Sequence, residues 1–135
     1  MSRRTHGREP CCGDGGSAAV DFVLVGGLVT VLFLGVLQLG FALHVRTLLI
    51  DSAAEGARLG ARLESGPDDA ESRTKELIGS VLSDRYARDV TTSVVEVGGV
   101  EMIEVRVRAP MPVIALLGPS GTQEVRAHAL AETPW

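Results

Sequence analysis

From Phe22 to Leu43 the chain carries no charged residue and only two polar side chains, Thr30 and Gln38. An α-helix needs ~20 such residues to cross ~30 Å of hydrocarbon. The run is too long for the core of a signal peptide, which reaches about 15 residues, and no A-x-A-type cleavage site follows it. The expectation is a retained membrane helix. One acid, Asp21, stands at its start. A carboxylate at the edge of a membrane segment is costly and has either water or a partner. Taken alone, the residue reads equally well as a solvated interfacial acid.

The apolar run does not stop with a turn. His44 to Glu64 continues without proline and with helical spacing, placing Leu48, Leu49, Ala53, Ala57, Leu59 and Ala61 near one side. Ser52, Gly56 and Gly60, beside Ala53, Ala57 and Ala61, make a seam of small residues that lets another element approach the helix axis; plain helix-forming alanine is the simpler account. Glu55 and Arg58 are placed to meet on the surface. One helix from about Ala18 to about Glu64 is predicted, part in lipid and part in water, ended by Ser65-Gly66-Pro67-Asp68.

A second helix is predicted from Asp68-Asp69, acids at the positive end of its dipole, to near Ala87. Its expected apolar face is Leu77, Ile78, Val81, Leu82 and Tyr86. The period then changes to two. Val90–Val97 and Val100–Ala109 flank Gly98-Gly99, a link that permits a tight primed turn. Pairing Val97 with Val100 puts Val90, Thr92 and Val94 beside Val107, Val105 and Ile103. It also sets Asp89 opposite Arg108, and Glu96 unfavourably opposite Glu101. Pro110 and Pro112 end the second strand, and the apolar loop from Met111 to Gly121 is expected to form a helical turn plugging one edge of the core. Thr122–Ala131 reads as a third strand with Val125, Ala127 and Ala129 on one side and Glu124, Arg126 and His128 on the other. The fold class is α+β: a long N-terminal transmembrane helix continuing into a small domain of one amphipathic helix and a three-stranded antiparallel sheet. The expected divisions are a polar leader at 1–16, a transmembrane and stalk helix at 17–64, and an α+β domain at 65–135.

Aromatic residues are few, Phe22, Phe33, Phe41, Tyr86 and Trp135, so the core must be built from Val, Leu, Ile and Ala, with help from the long helix or neighbouring subunits. The net charge of −4 and the absence of a basic patch with interleaved aromatics argue against nucleic acid as a partner. The leader contains Arg3, Arg4 and Arg8, which fits a cytoplasmic segment, but Arg46, Arg58 and Arg62 follow the apolar run in equal number and leave orientation open. Arg3-Arg4 lacks the prompt apolar run of a twin-arginine signal.

Catalytic chemistry finds little purchase. His6, His44 and His128 are scattered, and Cys11-Cys12 with His6 is a poor zinc set. Asp68-Asp69 is better explained as helix capping than as a cation site. Gly13-Asp14-Gly15-Gly16 lacks the lysine of a phosphate loop, and Ser120 has no nearby base. No enzyme activity, metal or cofactor is expected.

Gly16 followed by Ser17-Ala18-Ala19-Val20-Asp21-Phe22 resembles the processing and assembly signature of type IV pilin-like precursors: glycine before the cut, an acid at the fifth mature position, then an apolar helix. The block Ala53-Ala54-Glu55-Gly56-Ala57-Arg58, the late proline-apolar loop and the strand ending in Ala131-Glu132 extend the likeness to the TadE-like minor pseudopilins of tight-adherence (Flp, type IVb) pili. The family commonly has glutamate where this chain has Asp21. Cutting after Gly15 instead would put Val20 at the fifth position. The resemblance implies cleavage by a prepilin peptidase between Gly16 and Ser17, where glycine keeps the backbone approachable. It implies Asp21 and Phe22 as a register for assembly, with Asp21 meeting a neighbour's new amine. It implies other pseudopilins, the major pilin, inner-membrane platform proteins and membrane lipid as partners, with the N-terminus cytoplasmic and the C-terminal domain extracytoplasmic. The alternatives are an uncleaved single-pass anchor bearing a binding or adhesion domain, and an anchored enzyme or sensor.

Overall fold

The computed structural model describes residues 15–111 and 121–132. Its elements are α1 (Gly15–Gly60), α2 (Pro67–Val81), a 3-10 turn (Asp84–Tyr86), β1 (Asp89–Val97), β2 (Val100–Pro110) and β3 (Thr122–Leu130). The chain divides after Val36 into two units.

In the first unit, every described side chain of α1 from Gly16 to Val36 is exposed. Val, Leu and Phe dominate this stretch, and Phe22 is 80% exposed. Soluble monomers rarely show contiguous apolar patches beyond a few hundred Å². A helix of this length and composition fits a membrane anchor.

The second unit, from Leu37 onward, holds the core. Val45, Leu49, Ala53 and Ala57 on α1 are fully buried, four residues apart, and join Ala70 and Ile78 of α2, Tyr86, and Val105, Val107 and Val125 of the sheet. The latter part of α1 therefore supplies one wall of the core.

Helix α1 ends at Gly60, before the Glu64 expected from the sequence. It closes through shortened bonds, Arg62 N–H donating to Leu59 O at 3.2 Å and Ser65 N–H to Arg62 O at 3.0 Å. The Ala61 carbonyl accepts the Glu132 amide at 2.8 Å, tying the end of β3 to the end of α1. Helix α2 starts at Pro67, whose missing N–H costs nothing at a first position. Asp69 Oδ2 accepts the Gly66 amide at 3.0 Å, so the paired acids do serve the helix start. Helix α2 stops at Val81, short of Ala87, because Ser83 turns to extended geometry and a 3-10 turn carries Tyr86 into the core.

The apolar face predicted for α2 holds at Ile78, Leu82 and Tyr86, which are buried or packed against the core, and is corrected elsewhere. Its buried positions are Ala70, Thr74 and Ile78, while Leu77 is half-buried and Val81 is 54% exposed. The reason lies in the partner: glycines on α1 draw the small side chains of α2 inward. Thr74 is admitted because its hydroxyl donates to the Ala70 carbonyl at 2.7 Å.

The sheet is antiparallel with order β1-β2-β3. The hairpin register is the one expected, with Val97 opposite Val100, Val90 opposite Val107 and Asp89 opposite Arg108. Gly98 (φ +65°) and Gly99 (φ +83°) both occupy the left-handed region that a primed turn requires. Val94 lies on the core-facing side yet is 53% exposed, because it sits near the hairpin tip. Strand β3 faces as predicted, Val125 and Ala127 buried and Arg126 and His128 outward. The expected plug at Met111–Gly121 falls largely on residues 112–120, and the Cys11-Cys12-His6 set on the leader; both lie outside the described residues.

Candidate functional site

The residues singled out by sequence fall into two places. Gly16, Ser17, Asp21 and Phe22 lie near the start of α1, all exposed. A β-carbon placed on Gly16 would meet nothing within 4 Å. The Gly16–Ser17 bond is helical and sits in the first turn, whose amides lack intrahelical acceptors and fray readily. Spacing of i, i+4 puts Ser17 and Asp21 on one face. Among the described residues Asp21 has no ionic partner, and Phe22 beside it is bare. The arrangement presents a carboxylate and an aromatic ring on an apolar rod to whatever packs against it.

Gly56, Gly60, Ala53 and Ala57 lie in the second unit and are all buried. A β-carbon on Gly56 would overlap Thr74 Oγ1 and stand 2.7 Å from the Ala70 carbonyl oxygen. One on Gly60 would stand 2.6 Å from Ala70 Cβ and 2.8 Å from the Gly66 carbonyl oxygen. The element that approaches this seam is the chain's own α2.

A third cluster, on the outer face of the sheet, escaped the sequence reading. Glu124 on β3 accepts from Arg108 Nε at 2.8 Å and Arg126 Nε at 2.7 Å. Glu104 on β2 accepts from Arg106 at 2.8 Å and pairs with His128 Nε2 at 2.8 Å. The hydrogen bonds from Arg108 and Arg126 hold the Glu124 carboxyl down at about 2. Hydrogen bonding to His128 first, then the charge of Arg106, holds Glu104 below the usual carboxylate value against the opposing effect of its burial. All six side chains are engaged with one another, so the cluster knits two strands rather than offering free groups to a substrate. Beside it, a cavity of about 570 Å³ opens between Arg58 and Arg62 at the end of α1 and Met102, His128 and Leu130 of the sheet. Among the described residues no group of three or more His, Cys, Asp or Glu is arranged to hold a metal ion.

Comparison with known proteins gives one finding. Residues 16–58 match the model of the TadE-like protein family. The match begins at Gly16 and runs through Asp21, the apolar stretch and the Ala53–Arg58 block, so this part of the chain is TadE-like, which points to a tight-adherence (Tad) pilus system. No curated protein and no solved structure matches the chain.

Proposed function

We propose, from the TadE-like character of residues 16–58, that this chain is a minor pseudopilin taking part in assembly of a tight-adherence pilus. A prepilin peptidase cuts between Gly16 and Ser17. The leader stays in the cytoplasm, and the α+β domain is displayed outside, where it meets other pseudopilins, the major pilin and the membrane platform of the pilus machine. The role is structural and not catalytic.

The mechanism follows from charge in a poor solvent. Cleavage creates a positive amine on Ser17. Within a bundle of apolar helices, a lone carboxylate costs several kcal/mol, and a carboxylate paired with an amine is tolerated. Asp21 of one subunit then accepts only a neighbour staggered to bring its Ser17 amine into reach, so the pair acts as a register mark. Phe22 packs beside it. What supports this reading is the combination on α1 of an exposed Gly16–Ser17 bond, an acid four residues on, and an uncovered apolar helix.

The test is the N-terminal residue of the membrane-extracted protein, read by mass spectrometry. Ser17 is expected. Met1 or Ser2 in cells that make normal fibres would overturn processing and leave an uncleaved anchor displaying a small binding domain.

A further inference from the structure

A cavity of about 390 Å³ lies between α1 and the corner where α2 gives way to the 3-10 turn. Phe41, His44 and Leu48 line it from α1; Leu82, Arg85 and Tyr86 line it from the corner. Three observations converge on its occupant.

The first is depth. The uncharged run ends at Leu43; His44 follows, and Arg46 is the first charge. A bilayer that covers the run brings Phe41–Leu48 to the level of the lipid headgroups. The second is the character of the rim. Phe41 is 43% exposed and Val81, also on the cavity, 54% exposed, which leaves apolar surface where acyl chains begin. The third is charge. Arg85 lies with its guanidinium carbon 4.8 Å from the centre of the Tyr86 ring and donates to Tyr86 Oη at 3.0 Å. Tyr86 is buried, so the guanidinium is held in place, with most of its N–H donors still available. Among the described residues Arg85 pairs with no acid, and no acidic side chain lines the cavity.

An apolar trough with a fixed cation at headgroup level suits an amphipathic anion. We propose that this cavity binds an anionic phospholipid. The planar guanidinium of Arg85 takes the headgroup phosphate in a forked hydrogen bond, and a headgroup without its own ammonium is preferred because a choline would set a second cation beside the guanidinium. His44 contributes a ring N–H, Ser83 a hydroxyl, and Phe41, Leu48 and Val81 receive the upper acyl chain. The lipid would couple the α2 corner to the bilayer surface and fix how the domain stands on it. This rests on α1 being a membrane anchor, and on nothing about cleavage or pilus assembly.

The test uses the full-length protein extracted in mild detergent, with native mass spectrometry after addition of phosphatidylglycerol or phosphatidylcholine. Wild type should retain phosphatidylglycerol preferentially, and Arg85→Gln should lower that retention by about tenfold, the loss expected for a hydrogen-bonded charge contact. Arg73→Gln removes an equal charge from the outer side of α2 and should retain the lipid as wild type does. Equal retention of the two lipids by wild type, or equal loss in both variants, overturns the proposal. Carbonate extraction of the source membranes is the separate arm: release of the chain refutes the anchor itself, whereas a chain that stays integral without lipid preference refutes this site alone.

Discussion

Thr74 Oγ1 on α2 fills the space where a side chain on Gly56 of α1 would begin. The Ala70 carbonyl, 2.7 Å from the same point, closes off any retreat along the helix. The two helices therefore meet at backbone distance, and the small residue is required at that one turn.

Gly56→Ala should destabilise the domain despite improving the helix. The substitution gains about 1 kcal/mol in helix propensity. Overpacking against atoms that include backbone costs about 1–3 kcal/mol or more. Because a β-carbon there overlaps Thr74 Oγ1 outright, the cost falls at the upper end of that range and a net loss of about 1–2 kcal/mol is expected, read as a lowered thermal midpoint in detergent. Gly35→Ala, where nothing lies within 4 Å, should leave the midpoint unchanged or slightly raised. Adding Thr74→Ala to Gly56→Ala should recover only part of the loss, because the Ala70 carbonyl remains. Full tolerance of Gly56→Ala would show that the helices do not pack at this distance.

The hairpin offers a sharper backbone test. Gly98 holds φ at +65°, where a β-carbon costs about 1–2 kcal/mol. Gly98→Val should weaken the domain by roughly that amount in urea unfolding, and Gly98→Asn, whose side chain tolerates the left-handed region, should stay much closer to wild type. Equal effects of the two would mean that the turn relaxes to another type.

These two sites also show what the sequence could reveal. The β1–β2 register was legible residue by residue, because a Gly-Gly link between alternating strands leaves one pairing that buries the valines. The buried face of α2 was legible only in part, at Ile78, Leu82 and Tyr86. Hydrophobicity alone selects Leu77 and Val81, but shape selects Ala70 and Thr74, because glycines on another helix determine which side can approach. The outer cluster was hidden for a different reason. Glu104 meets His128 only once β2 and β3 are in register, and the two strands lie too far apart in sequence for a two-residue link like Gly98-Gly99 to set it. Around Asp21 the sequence was richer than the fold, since a single chain does not contain the neighbour it would meet.

Acid should erode the domain over a defined range. Glu124 sits at about 2 in the folded chain against an ordinary 4.5, and Glu104 also lies below its ordinary value. Depressed carboxyls stabilise the fold fully above the unfolded value, and that contribution disappears as pH falls through the folded value. The urea midpoint should thus hold at neutral pH and fall between pH 4.5 and about 2. Glu124→Gln should lower the neutral-pH midpoint and flatten the fall. High salt should shrink the difference between the two proteins, since Arg108 and Arg126 are exposed and screened. An acid limb as steep in Glu124→Gln as in wild type would remove this carboxylate from the account.

Asp21 carries the last and most consequential expectation. Asp21→Ala deletes a charge at the edge of an apolar helix, so membrane insertion should be unimpaired or slightly favoured. What should fail is assembly. Without the carboxylate, a neighbour's Ser17 amine enters the helical bundle unpaired, at a cost of several kcal/mol, and surface pili should fall at least tenfold at equal membrane levels of the protein. Asp21→Glu keeps the charge and adds one methylene of reach, so it should restore piliation where Asp21→Asn does not. That contrast separates a charge pair from a shape effect, because asparagine matches aspartate in size but cannot neutralise an amine. Normal fibres from Asp21→Ala cells would show that the stagger between subunits is set elsewhere, with the buried seam of α1 excluded as the source because α2 of the same chain already occupies it.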